Sequence, residues 1–331
     1  MTLKMAQSIL EPFLLQNGDM LTIVLMGAET LMAIDVIKEL VAWLKSSEWN
    51  RPFRVFGSTN GTLLSEDIKF WIEQHVDIFT LGLSYDGLPS TQNANRGNNN
   101  IDLDFFIQTW PNQPIQMTIN EESVGNMADG IIYLINKGAK VHPNIAYEDK
   151  DWPEDAIAEY GRQLYKLIKY YQEHPYAPPV TPLIHDLNTY AYCLDNPQSQ
   201  IEVCGAGKGF CVFDVDGQSY PCHLFSPLVL SETKLESVRT SEVFNNEDLS
   251  NSECIKCPYS TECPTCMGCN YLYRGAIWHR DNTHCRLMKL DVKAYIKMEV
   301  ERLKKTKQLT PEDATLVDSI TRLVTYNRVH P

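Results

Sequence analysis

Cys204-Gly-Ala-Gly-Lys-Gly-Phe-Cys211, Gly217-Gln-Ser-Tyr-Pro-Cys222, Cys254-Ile-Lys-Cys257-Pro-Tyr-Ser-Thr-Glu-Cys263-Pro-Thr-Cys266-Met-Gly-Cys269 and a later Cys285 hold nine of the ten cysteines of this chain. The tenth, Cys193, lies just upstream, and no cysteine precedes it. Such a block serves disulfides, zinc or iron–sulfur clusters. Disulfides fit worst. Met1 to Gln16 carries Lys4 and Glu11 and lacks the uninterrupted apolar core of a secretory signal. A chain of 331 residues buries a large core without covalent staples. Zinc and iron–sulfur share the thiolate ligand and differ in count. One structural zinc takes four ligands, and two four-cysteine clusters take eight. Nine cysteines therefore fit two sites of either kind with one to spare.

Outside this block the composition is that of an ordinary globular protein, 44% hydrophobic and 21% charged. The length suggests about two domains. A net charge of −13 argues against a nucleic-acid partner, whose binding surface would be basic. No apolar run approaches the ~20 residues of a membrane span, so the expected location is the cytoplasm.

The first half alternates strand and helix. Lys4 to Gln16 has the apolar period of an amphipathic helix. Leu21 to Met26 is a continuous apolar run that reads as a buried strand. Thr30 to Ser46 is helical in period, Phe53 to Phe56 a second strand, and Ser65 a cap for a helix through His75. Ile78 to Leu83, Pro114 to Ile119 and Ala139 to Ile145 read as three more strands. Leu103 to Trp110, Val124 to Asn136 and Trp152 to Glu173 read as helices, with a loop after the third strand. Strict alternation is the mark of a parallel α/β fold. Its strand ends carry Gly27-Ala28-Glu29-Thr30, Thr59-Asn60-Gly61, and Ser84-Tyr85-Asp86-Gly87 followed by Arg96-Gly97. Each alone reads as an ordinary turn.

Together these motifs resemble the radical S-adenosylmethionine (SAM) core, and the cysteine spacing resembles the SPASM domain. That domain is the auxiliary-cluster module at the C-terminus of many radical SAM enzymes that modify peptides and proteins. Two CxxC pairs alone do not exclude zinc, but the resemblance implies two 4Fe-4S clusters. It implies that Cys204, Cys211 and Cys222 hold the first cluster with Cys269, or with Cys266 in its place. It assigns Cys254, Cys257, Cys263 and Cys285 to the second. The family commonly leaves three residues between the third cysteine of the second group and the next, and neither Cys266 nor Cys269 has that spacing. In the core, the family's GGEP motif, which holds the SAM amino group, corresponds to residues Gly27 to Thr30 and leaves Glu29. Ser84, Asp86 and Arg96 correspond to the groups that contact the SAM ribose and carboxylate. Ala28 stands where the family has a glycine and Thr30 where it has a proline. In the sulfatase-maturing branch an Asp after the third cysteine accepts the substrate proton; here that residue is His223, whose ordinary pKa suits the task.

The expected architecture is an incomplete parallel (β/α) barrel of about five βα units over residues 1–185, then a SPASM domain with C-terminal helices over 186–331. The CxxxCxxC loop that defines the family is missing, since no cysteine precedes Cys193. The Glu29 motif follows the first strand here but the second in the family, so the expectation is an absent N-terminal segment. It predicts a bare edge beside Leu21 to Met26, partly covered by the helix Lys4 to Gln16. The implied function is radical SAM maturation of a peptide or protein, in which SAM gives a 5′-deoxyadenosyl radical that abstracts hydrogen. SAM is an expected cofactor only if the missing segment is supplied, and the chain as given is not expected to cleave it. The alternative is a non-catalytic iron–sulfur protein that binds a peptide or partners a complete radical SAM enzyme.

Overall fold

The computed structural model describes residues 1–98, 100–197, 204–207, 209–239 and 252–329. Their contacts divide into two compact units. Unit 1 is residues 1–144 with 213–218, and unit 2 is residues 145–212 with 219–331.

Unit 1 runs α1 (Leu3–Leu14), β1 (Leu21–Leu25), α2 (Ile34–Lys45), β2 (Phe53–Thr59), α3 (Glu66–Glu73), β3 (Phe79–Leu83), α4 (Pro89–Arg96), α5 (Leu103–Thr109), β4 (Ile115–Ile119), α6 (Met127–Asn136) and into β5 (Val141–Ile145). The helix starts follow sequence chemistry. Thr2, Ser65 and Asp102 each accept from a backbone N–H of the first turn, at Met5, Ile68 and Phe105. Pairing is parallel from β1 to β2 and from β2 to β3, with Leu21 opposite Phe53 and Val55 opposite Phe79. A parallel bridge between Ser84 and Gln116 continues the order from β3 to β4, and β4 pairs with β5.

Two readings change. The segment after β3, expected as a loop, contains α4. Pro89 opens it at the first turn and Gly97 closes it at φ +69°, but its polar residues show no apolar period. Leu21 to Met26 is not a wholly buried strand. β1 has β2 as its one strand neighbour among the described residues, and only Ile23 is buried. Thr22 and Val24 share an exposed face with Arg54 and Ser58 of β2. An apolar run signals burial only where a neighbour covers both faces. α1 packs on α2. One close approach places the site loop: a Cβ on Gly87 (φ +86°) would lie 2.7 Å from the Gly130 Cα, so the turn after β3 lies directly on α6.

Unit 2 contains α7 (Glu154–Glu173), α8 (Leu187–Asp195), β6 (Val212–Phe213, its second residue in unit 1), β7 (Ser219–Tyr220), α9 (Glu232–Arg239), α10 (Ser252–Ile255), α11 (Met267–Arg274), α12 (Asn282–Lys305) and α13 (Pro311–Val329). α7 closes the strand–helix alternation in sequence, yet it packs along α12, where the buried Tyr160 hydroxyl donates to Asp291 at 2.7 Å. α13 packs on α8, and Ser319 Oγ donates to Asn188 at 2.8 Å. The core between α8, α12 and α13 is built from Leu187, Tyr190, Tyr259, Val292, Ile320 and Leu323.

His185 borders this core. Tyr190 donates its hydroxyl proton to Glu262 and so accepts from His185 Nδ1 at 3.0 Å. That leaves His185 Nε2 buried without a hydrogen-bond partner among the described residues. Glu262 Oε2 lies 4.0 Å from Nδ1, but burial outweighs it and lowers the pKa from 6.5 to about 4. The folded pKa lies below the unfolded one, so stability is lost as pH falls through this window. Between pH ~7 and pH ~5.5, urea unfolding should lose about 1 kcal/mol more in the parent than in His185→Gln. Equal losses would show that this histidine is not held neutral.

Candidate functional site

The strand ends of unit 1 bring together most of the residues singled out there. Glu29 precedes a short turn of helix, and its carboxylate ties that turn to the Thr59–Asn60 segment. Oε1 accepts from Leu31 N at 3.0 Å and Thr59 Oγ1 at 2.7 Å, and Oε2 accepts from Asn60 N at 2.8 Å. Asn60 Oδ1 in turn accepts from Thr62 N, and Gly61 takes φ +78°. The sequence Thr59-Asn60-Gly61 therefore makes a rigid turn held by Glu29.

Asp86 is 2% exposed and fully engaged. Its Oδ2 accepts from Arg96 Nε at 2.8 Å and Asn95 Nδ2 at 3.2 Å. Oδ1 accepts from Arg96 Nη2 at 3.0 Å and Thr118 N at 3.1 Å. This is a two-pronged guanidinium–carboxylate pair, strong because both groups are ionised and planar. It fixes Arg96, at the last turn of α4, against the end of β4. The Ser84 backbone N–H donates to Thr59 O at 2.9 Å, while its hydroxyl makes no hydrogen bond among the described residues.

In unit 2 no cysteine is in a disulfide, and eight of the ten thiols fall into two sets by which of them act electrostatically on one another. Cys254, Cys257, Cys263 and Cys285 form one, with Cys263 and Cys257 set in the α8–α12–α13 core. Burial raises Cys263 to about 12, and the Cys285 and Cys257 charges add to that against the opposing pull of Arg280. Burial also raises Cys257, with Cys285 and Cys254 acting on it. Cys285 sits on the first turn of α12, where the helix N-terminus favours negative charge.

The other group contains Cys204, Cys222, Cys266 and Cys269. Cys222 is raised by burial and by the Cys266 and Cys204 charges. A side-chain hydrogen bond between Cys266 and Cys269 lowers the Cys266 thiol and raises that of Cys269. Cys211 is exposed. Cys193 is buried in α8 and belongs to neither group. His223 follows Cys222 and is itself exposed, its Nδ1 3.5 Å from the Cys222 sulfur; desolvation lowers its pKa. Among the described residues no three Cys, His, Asp or Glu side chains are gathered for a single metal ion. One zinc needs four sulfurs about one radius of ~2.3 Å away, whereas a cluster spreads its thiolates over several irons.

Sequence reading missed the polar residues around these thiols. Asp281 caps α12 by accepting from His284 N at 2.9 Å, and its other oxygen accepts from Arg274 at the end of α11. His284 is buried, stacked on Tyr147 with ring centroids 4.1 Å apart. Arg274 also reaches Glu148 O, and Trp152 N donates to Thr283 at 2.9 Å, so the start of α12 is anchored to residues 147–152. The signal for the cap was present, since Asp281 stands three residues before His284.

No family model matches the chain, and no curated protein matches it by sequence. Its fold has counterparts among solved structures. Native anSMEcpe with bound AdoMet, a radical SAM/SPASM anaerobic sulfatase maturase, superposes with a TM-score of 0.63 at 15% identity over 92% of this chain and 89% of that one. The same protein with AdoMet and the Kp18Cys peptide gives 0.61 at 17% identity, over 91% and 89%. Streptococcus suis SuiB bound to S-adenosylmethionine gives 0.52 at 14% identity, over 86% and 69%. The chain thus has a radical SAM/SPASM-type fold, as the motifs led one to expect. No described helix is long and apolar enough to cross a membrane.

The strand-end geometry makes Asp86 a structural anchor. Asp86→Ala should leave Arg96 without its partner and destabilise the protein by about 3 kcal/mol in urea unfolding, near the low end for breaking a buried pair because Arg96 is partly exposed. A loss below ~1 kcal/mol would show that the pair holds nothing in place.

Proposed function

We propose that this chain is a two-cluster iron–sulfur protein that binds a peptide or protein in a radical SAM-type maturation and does not itself cleave SAM. The observation that carries this reading is the sorting of eight thiols into two groups of four in a chain of radical SAM/SPASM-type fold. Each group combines buried sulfurs with a helix N-terminus and a nearby cation, Arg280 for one and Arg274 for the other. Burial holds several of these thiols protonated in the free protein, and a bound cation is what would draw off their protons. They fit an anionic four-iron cluster, which would supply one-electron chemistry at each site. His223, next to Cys222, is the residue this reading assigns to accept a proton from a substrate bound at the first group.

The SAM-contact residues fit less well. Asp86 has all of its acceptor positions engaged by Arg96, Asn95 and Thr118, so it serves to position Arg96 and has none left for ribose hydroxyls. Glu29 is tied to the Thr59–Asn60 turn. No cysteine before Cys193 is present to hold a SAM-binding cluster. The second reading, an active maturase, draws on the Ser84 hydroxyl, which has no partner among the described residues. A peptide substrate is supported by anSMEcpe, whose structure holds one.

Anaerobically reconstituted protein should be brown, absorb broadly near ~400 nm and carry about eight irons per chain. Colourless protein with stoichiometric zinc would end the cluster reading. Cys257→Ala should lose roughly half the iron, because that thiol serves one site only.

The activity test is separate. Dithionite-reduced, reconstituted protein incubated with SAM should form no 5′-deoxyadenosine above a no-protein control. Turnover would move the chain to the active-maturase reading.

A further inference from the structure

Nine clustered cysteines exceed by one what two clusters need, and the residue left over can be read from the start of α11. Cys266 is the N-cap of that helix, in extended conformation, and its sulfur accepts from Cys269 N at 3.5 Å. The Cys266-Met-Gly-Cys269 turn therefore presents two thiols at one helix N-terminus, among backbone N–H groups that have no partner within the helix. Gly268 brings this turn directly onto the Cys222 loop. A Cβ at residue 268 would lie 2.5 Å from Leu224 Cβ, so only a glycine lets the two backbones approach so closely. Cys222 and Cys269 are both buried, at 7% and 9% exposure, while Cys204 packs against the same apolar cluster as Cys222.

Cys211 sits apart. The loop after Cys204 folds back on itself, with Gly209 N and Phe210 N both donating to Gly205 O, and Cys211 emerges from it exposed. A second observation concerns what surrounds the four. His284 Nε2 and Arg274 Nη1 are buried and have no hydrogen-bond partner among the described residues. Both side chains act electrostatically on this CxxC pair, His284 on Cys266 and Arg274 on Cys269. The Arg274 Nη1 donor calls for an acceptor, and a four-thiolate cluster is anionic.

The geometry points to Cys204, Cys222, Cys266 and Cys269 as the four ligands of the first cluster, with both members of the CxxC pair bound and Cys211 free. This rests on the two-cluster reading above and refines it. It departs from the set that the family resemblance implies, which takes Cys211 and only one of Cys266 and Cys269. Both thiols of the pair would then hold the same cluster from a single helix turn, with His284 and Arg274 acting on them from nearby.

The test compares Cys211→Ala, Cys266→Ala and Cys269→Ala in anaerobically reconstituted full chain, by iron and sulfide content and by low-temperature EPR after dithionite reduction. Cys211→Ala should keep about eight irons and the parent signal; Cys266→Ala and Cys269→Ala should each fall to about four irons and lose one signal. Loss of four irons from Cys211→Ala, or full retention by either of the other two, overturns the assignment. Unaltered protein gives an independent readout that needs no variant to fold. Iodoacetamide treatment of the reconstituted chain, followed by peptide mass spectrometry, should label Cys211 and spare Cys266 and Cys269. Labelling of Cys266 or Cys269 with Cys211 protected also overturns it. A parent protein that takes up no iron at all would instead defeat the two-cluster reading itself.

Discussion

The arrangement of unit 2 depends on one buried carboxylate. Asp281 is 4% exposed, caps α12 through His284 N and holds Arg274 at the end of α11. Burial alone would raise its pKa, but the His284 side chain, the His284 backbone N–H and Arg274 together outweigh that and hold it low. An ionised Asp281 therefore joins two helices that each present thiols. α11 begins with Cys266 and carries Cys269 a turn before Arg274, and α12 carries Cys285 in its first turn. Both oxygens of Asp281 are used, so one residue ties the helix that carries Cys266 and Cys269 to the helix that carries Cys285.

The same logic recurs in unit 1 with a different result. Asp86 and Glu29 each satisfy several donors from separate segments, so they lock the ends of β1, β2, β3 and β4 together. Acidic residues at strand ends serve either a ligand or the scaffold, and the number of free lone pairs decides between them. Asp86 has none to offer. Arg96 gains a fixed direction from that pairing, and the turn behind it is set by the contact of Gly87 with Gly130. The strand ends are thus well ordered, while the face formed by Thr22, Val24, Arg54 and Ser58 stays open to solvent.

The sequence by itself determined the class of fold, since apolar period and strand–helix alternation are local properties. It placed all five strands of unit 1 to within a few residues and brought Glu29, Thr59, Ser84 and Asp86 to their ends. It also determined the likeness to the radical SAM/SPASM type, because cysteine spacing is a linear pattern. The helix α4 escaped it because eight mostly polar residues carry no period. Tertiary structure alone decided the rest. Whether Leu21 to Met26 is buried depends on a neighbour strand that no local pattern reveals. Whether Asp86 meets a ligand or Arg96 depends on a contact ten residues away. The approach of the Cys266–Cys269 turn to the Cys222 loop depends on Gly268 meeting Leu224 across more than forty residues of chain, and the exposure of Cys211 depends on how its loop is packed. Spacing along a chain limits which sulfurs can meet; only the packing of helices and turns, through excluded volume and buried hydrogen bonds, selects those that do.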